Sequence, residues 1–144
     1  MSTKDLKAFM RRFVEEWNKG KAAAMKGIDE GCATNIVYNG SSGEDILHGL
    51  KDYKQFFGEF YDAFPDQHIT LEDIVAEGDK VVTRYSLTGT HKGKYMGIPA
   101  TNKKVTISVI EIDRVVGGKV IEEWVRFDTL GFMQQLGVIP TPKK

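Results

Sequence analysis

Leu6, Phe9, Met10, Phe13, Val14 and Trp17 recur at helical spacing and draw one apolar stripe along the first segment of the chain. Ser2 with Asp5 three residues later resembles a capping box, and Gly20 is placed to stop the helix. A weaker helix over KAAAMKGIDEG leads to a short strand, TNIVYNG, and then to the loop SSGEDILHG. A third helix carries Leu50, Tyr53, Phe57, Phe60, Tyr61 and Phe64 on one broad face until Pro65 ends it.

Beyond Pro65 the period changes to two. Strands are expected at 68–77, 80–91, 104–116 and 119–127, with Gly78-Asp79 and Gly117-Gly118 as hairpin turns. The loop KGKYMGIPATN separates the middle pair, and a last helix over 129–136 turns Leu130, Met133 and Leu136 inward. Helices followed by an antiparallel meander give an α+β fold in one domain, residues 1–144. The helices hold more aromatic surface than a sheet edge can cover, so they belong across a curved sheet, leaving a cone with a pocket. Pairing outward from Gly117-Gly118 sets Val116 against Lys119, Ile110 against Val125 and Ile112 against Glu123, on a face shared with Ile121 and Phe127. That greasier face is expected to look into the cone. Glu111, Asp113, Glu122, Trp124 and Arg126 would lie outside, in solvent or in a dimer interface.

Charge and composition narrow the functions available. The 20 basic and 20 acidic residues cancel, and the basic pairs are scattered, which speaks against a nucleic-acid partner. The single Cys32 rules out an internal disulfide framework. No apolar run approaches the ~18 residues of a membrane span, and MSTKDLKAFMRRF lacks an apolar leader core, so a cytoplasmic protein is expected. Three dispersed histidines and the absence of a glycine-rich phosphate loop predict no metal site and no nucleotide cofactor.

Three stretches resemble a known family: AFPDQHITLEDIVAEGDKVVTRYSLTGTH, GKYMGIPATNKKV and GGKVIEEWVRFDTLGFMQQLGVIP. They are similar in order and spacing to the SnoaL-like polyketide cyclases, or ester cyclases, of the nuclear transport factor 2-like fold, over about Gly49 to Pro140. The resemblance implies a cofactor-free protein that closes a polyketide ring by intramolecular aldol condensation, and a dimer. It also implies a general acid/base aspartate near the end of the last strand. Alignment on Phe127-Asp128 puts that aspartate at Val125, where it is missing, and puts an assisting histidine of the cyclases at Glu111. The fold alone does not choose among the chemistries it hosts.

The candidate proton-transfer residues are therefore His91, Glu111 and Asp128. Each has a plainer reading. Asp128 sits where a helix N-cap belongs, Glu111 suits an outer salt-bridge patch, and His91 suits a bond to loop backbone. Glu111 and Val125 cannot both point inward on a regular hairpin, and only a bulge would reconcile them. The pocket is expected to take an apolar, carbonyl-bearing small molecule, lined by Tyr38, Asn39, Phe57, Phe60, Tyr85, Met96, Ile110 and Val125 together with His91. A non-catalytic binding protein with the same pocket is the alternative that Val125 raises.

Overall fold

The computed structural model describes residues 1–41 and 46–142. Ser42, within the expected 41–49 loop, and the Lys143-Lys144 pair lie outside the described residues. The elements run α1 (Thr3–Trp17), α2 (Lys21–Gly31), β1 (Cys32–Asn39), β2 (Ile46–His48), α3 (Leu50–Ala63), β3 (His68–Glu77), β4 (Lys80–Thr90), β5 (Lys104–Val116), β6 (Lys119–Phe127) and α4 (Thr129–Leu136). The strands form one open sheet in the order β2-β1-β6-β5-β4-β3, with β1 parallel to β6 and every other pair antiparallel. No helix among the described residues is long and apolar enough to cross a membrane.

The local signals account for most of these boundaries. Ser2 and Asp5 form a reciprocal capping box at the start of α1. Gly20 serves as the N-cap of α2, at φ 121°, rather than as the stop of α1. Asp128 caps α4 by accepting the Gly131 N–H at 2.9 Å, and Gly137 ends that helix in the left-handed region. The short strand β2 lies inside the segment expected to be a loop.

The three long helices cross the concave side of the sheet. The Trp17 indole N–H donates to Gln67 Oε1 at 2.8 Å, and the Tyr61 hydroxyl donates to the Trp17 carbonyl at 2.8 Å. Asn18 pairs with both backbone groups of Ile69 at 2.8 Å, tying the end of α1 to β3. Rings from α1, β1 and α3 then stack through the interior, with Trp17, Tyr38, Tyr53, Phe56 and Phe57 in successive edge or tilted contacts.

The β5–β6 hairpin departs from the expected register. Val116 does face Lys119 and Val115 faces Val120, but Arg114 then faces Glu122, Asp113 faces Glu123 and Glu111 faces Val125. Ile121 is the extra residue of a β-bulge. A one-residue slip exchanges the two faces of a strand, so from Arg114 back to its start β5 turns the opposite side to β6 from the one expected. Val105, Ile107, Val109, Glu111, Asp113 and Val115 look inward, whereas Ile110 is 53% exposed. The expected apolar face of Ile110 and Ile112 is thereby corrected to an outer one. The cause is legible further along β5, where Val105, Ile107 and Val109 alternate with Lys104, Thr106 and Ser108. Three apolar residues on the odd positions outweigh two on the even ones near the turn.

Candidate functional site

The register sets three inward rows across the sheet. One runs Val81, Asp113, Glu123, Tyr38; the next runs Thr83, Glu111, Val125; the third runs Tyr85, Val109, Phe127. Asp113 and Glu123 are therefore direct cross-strand neighbours, with Glu111 on the diagonal. One oxygen from each of the three carboxyl groups lies within 4.8 Å of the other two. Glu123 accepts the Tyr53 hydroxyl at 3.1 and 3.2 Å, and Glu111 accepts the Tyr85 hydroxyl at 2.8 Å.

Above these groups lies a cavity of about 100 Å³, walled chiefly by rings of α1, α3 and α4 and by the inner faces of β3 to β6. Glu111, Glu123, Thr83 and Val125 reach its lining, and Asp113 lies behind them with 0% exposure. Among the described residues no donor outside the three carboxyl groups reaches either oxygen of Asp113, and the buried Thr83 hydroxyl also has no partner. Among the described residues no lysine, arginine or histidine pairs with any of the three carboxyls. Burial, and then the neighbouring carboxyl groups, push Asp113 and Glu123 well above the ordinary carboxylate range. Burial first and the nearby glutamates second also push up the Tyr53 and Tyr85 hydroxyls. The same causes raise the buried Cys32 thiol, which leaves it unreactive.

The expected site residues divide. Tyr38, Phe57, Phe60, Tyr85, Glu111 and Val125 line one cavity. Asn39 binds the Glu123 carbonyl from outside it at 3.0 Å. Ile110 points away from it, and Met96 is 63% exposed at a neighbouring cleft of about 320 Å³ shared with Phe56, Glu59, Lys94, Tyr95 and Gly97. His91 lies outside the lining: its ring stacks on Phe64 at 5.2 Å, and its Nδ1 accepts the Thr101 N–H at 3.3 Å. Asp128 is occupied in capping α4. Glu111 is thus the member of the three proton-transfer candidates that faces the cavity. Glu123 and Asp113 were placed by the sequence reading in no chemical role. Histidines suggested no metal site, yet the fold gathers acidic oxygens of the kind that hard divalent cations prefer.

The loop between β4 and β5 closes the cavity's other end. Its base is tied by His91 N–H to the Lys103 carbonyl and Asn102 N–H to the His91 carbonyl, each at 2.9 Å. Its tip turns at Met96 and Gly97, both with positive φ, between paired Tyr95 and Ile98. Tyr95 enters the cavity wall with its ring against Phe60, Phe64 and Phe132. Gly93 lies against the end of α3, where a Cβ would come within 2.8 Å of the Asp62 carbonyl oxygen.

A helix-filled cone with an aromatic cavity and an acidic floor defines a nuclear transport factor 2-like α+β protein. The SnoaL-like polyketide cyclase family profile matches residues 7–136, and the chain belongs to that family. Among solved structures it is similar to AclR, a suggested hydroxylase from Streptomyces galilaeus, at 28% identity and TM-score 0.83 over 96% of this chain and 100% of that one. It is also similar to IdmH, a suggested polyketide cyclase from Streptomyces antibioticus, at 26% identity and TM-score 0.74, covering 92% and 98%. A suggested polyketide cyclase from Acidithiobacillus ferrooxidans matches at 28% identity and TM-score 0.74, covering 91% and 93%. No curated protein matches the sequence.

Proposed function

We propose that the protein moves protons on an apolar, carbonyl-bearing small molecule, by the acid–base chemistry that an aldol-type cyclisation or an isomerisation requires. The observation that carries this reading is the position of Glu111 and Glu123 at the floor of an aromatic cavity. The rings exclude water and hold the ligand's apolar body. Glu111 is the base that takes a proton from the carbon beside the carbonyl, with Tyr85 orienting its carboxylate. Glu123, raised well above the ordinary carboxylate range by burial and then by Glu111, is the acid that protonates the developing oxyanion. Val125 leaves the position of the cyclase aspartate apolar, with Glu111 opposite it on the neighbouring strand and Glu123 one row away on its own strand.

The test uses β-tetralone, an apolar ketone with exchangeable α-hydrogens. In deuterated water, NMR should show the protein accelerating hydrogen–deuterium exchange, and Glu111→Gln should slow it by ~10²–10⁴-fold. Binding of β-tetralone with no acceleration would instead favour the second reading, a binding protein without turnover, to which Val125 lends support.

The reading includes a homodimer through the outer face of the sheet. Val75, Val82, Ile112 and Trp124 form one continuous cross-strand row there, flanked by rows of charged residues. An apolar stripe with a charged rim suits association with a second copy.

A further inference from the structure

The acid–base reading leaves Asp113 without a task. It is fully buried, among the described residues no donor but the neighbouring carboxyl groups reaches its oxygens, and it lies behind the two glutamates that face the cavity. The groups that act on it are Glu111 on its own strand and Glu123 on β6, with Tyr53 on α3 in range and the apolar Val81 opposite on β4; Tyr85 acts on Glu111 instead. None of these is a cation. Arg114, the next residue, turns to the outer side and lies 3.6 Å from Asp79. Three carboxyl groups this close, with no positive charge, do not all ionise, so the cluster holds protons and Asp113 can bond only by sharing them. The unpartnered Thr83 hydroxyl on the cavity wall, facing Glu111 across the strands, is a second buried polar group that a ligand oxygen would satisfy.

We propose that Asp113 is a positioning residue that stores the site's proton and relays it between Glu111 and Glu123. The proposal rests on the acid–base reading above and completes its proton balance. Glu111 takes the α-proton as the C–H electron pair becomes the C=C bond of the enol, and the ligand oxygen takes the proton of Glu123. Glu111, now protonated, passes its proton to one oxygen of Asp113 while Asp113 gives the proton on its other oxygen to Glu123. The ketone has become an enol and each carboxyl group regains its charge. The Asp113 proton now sits on the oxygen facing Glu111, and a half-turn of that carboxyl group, or exchange with water between turnovers, resets the cluster. No oxidant or reductant is needed. A relay behind the floor suits a cavity whose remaining walls are largely aromatic and aliphatic, with the Tyr53 and Tyr85 hydroxyls already given to Glu123 and Glu111.

Infrared spectroscopy of the full chain in deuterated water tests the store directly. A protonated carboxylic acid shows a carbonyl band apart from the carboxylate bands. The parent should show that band at neutral pH, unchanged by EDTA, and Asp113→Asn should weaken it. The same variant should slow β-tetralone exchange by about 10²-fold at unchanged KM and remove one limb of its pH profile, which loss of packing alone would not do. Absence of the band in the parent would overturn the proposal, as would a band that emerges only after EDTA, since a bound cation would then hold the cluster. The parent spectrum decides the matter even if Asp113→Asn does not fold. A band without exchange retains the store and removes the enzyme reading, whereas exchange without a band does the reverse.

Discussion

The two faces of the β5–β6 hairpin carry similar residue types in opposite electrostatic conditions. Outside, Trp124 lies 5.7 Å beneath the Lys80 ammonium, and Arg126 donates to the Gly40 and Val125 carbonyls at 2.8 Å. On β3 and β4, Arg84 pairs with Asp73 at 2.7 Å. Charge there is exposed, mixed and cheap to hold. Inside, Glu111, Asp113 and Glu123 have tyrosine hydroxyls and one another, and no cation. Ionisation there is costly, and this holds Asp113 and Glu123 well above the ordinary carboxylate range. The bulge at Ile121 sorts the residues between these conditions, since without it Glu123 and Val125 would be separated from Glu111 and Asp113.

The most forceful way to break the comparison is to slip the register. Inserting one alanine between Glu123 and Trp124 should turn Trp124 and Arg126 toward the helices and Val125 and Phe127 away from them. The loss should exceed about 4 kcal/mol, the range in which single changes unfold a domain, and denaturant titration would measure it. Deleting Ile121 should cost far less, because the pairs Arg114–Glu122, Asp113–Glu123 and Glu111–Val125 then follow Val115–Val120 in regular alternation. An insertion variant with the parent's midpoint would show that the strand absorbs the slip.

Val125→Asp sharpens the comparison by adding a fourth carboxyl to the inner face. Desolvation and the adjacent Glu111 should raise its pKa, and the fold should lose about 1–3 kcal/mol. The loss should grow as pH rises from the ordinary carboxylate range up to the raised value, and level off above it. Melting temperatures of parent and variant across pH would check both the size and the slope.

The parent should itself carry a smaller version of that slope. Asp113 and Glu123 are raised in the folded state, so below the ordinary carboxylate values both states are protonated and the pair contributes no penalty. Above them the unfolded chain releases protons that the folded chain keeps, and stability falls with rising pH until the folded pKa is passed. Each retained proton contributes a slope of about 1.4 kcal/mol per pH unit. Asp5 and Asp66 act in the reverse sense, chiefly through hydrogen bonds from Ser2 and Thr90 that lower their pKa values, and limit stability only in stronger acid. Melting temperature should therefore rise from neutral pH toward mild acid, and Asp113→Asn should flatten that rise. The opposite slope would mean that the inner carboxyls are compensated in a way their neighbours do not provide.

The smallest effect on the fold is expected outside. Trp124→Ala should change monomer stability little while shifting sedimentation from dimer toward monomer, because it truncates the centre of the outer apolar row. A parent that sediments as a monomer at micromolar concentration would remove the dimer.

The helices, all four long strands, both glycine turns and the capping roles of Ser2 and Asp128 are legible in the sequence because each is set by neighbours within a few residues. The cone is legible because α3 carries more rings than one edge can hide. The floor is not legible from the turn outward, since a bulge is decided by competition between distant residues of one strand, here Val105, Ile107 and Val109 against Ile110 and Ile112. Weighing the whole strand would have turned Glu111 and Asp113 inward. The sequence reading turned Glu123 inward correctly, but its company depended on that register. Met96 carries no signal of its exposure, because a loop's path follows from its closing bonds and not from its periodicity.

Tyr95 has a kinetic consequence. Its ring forms part of the wall between the cavity and the neighbouring cleft, held by Phe60, Phe64 and Phe132. A ligand entering past the loop must wait for that ring to leave its three neighbours, a step that costs roughly 1.5–3 kcal/mol in lost burial. On that cost the doorway stands open in roughly one molecule in ten to one in 150, and arrival is slowed by the same factor below the encounter rate. Departure waits on the same step, so residence time would respond to Tyr95→Ala even though the ring makes no contact with a proton in flight.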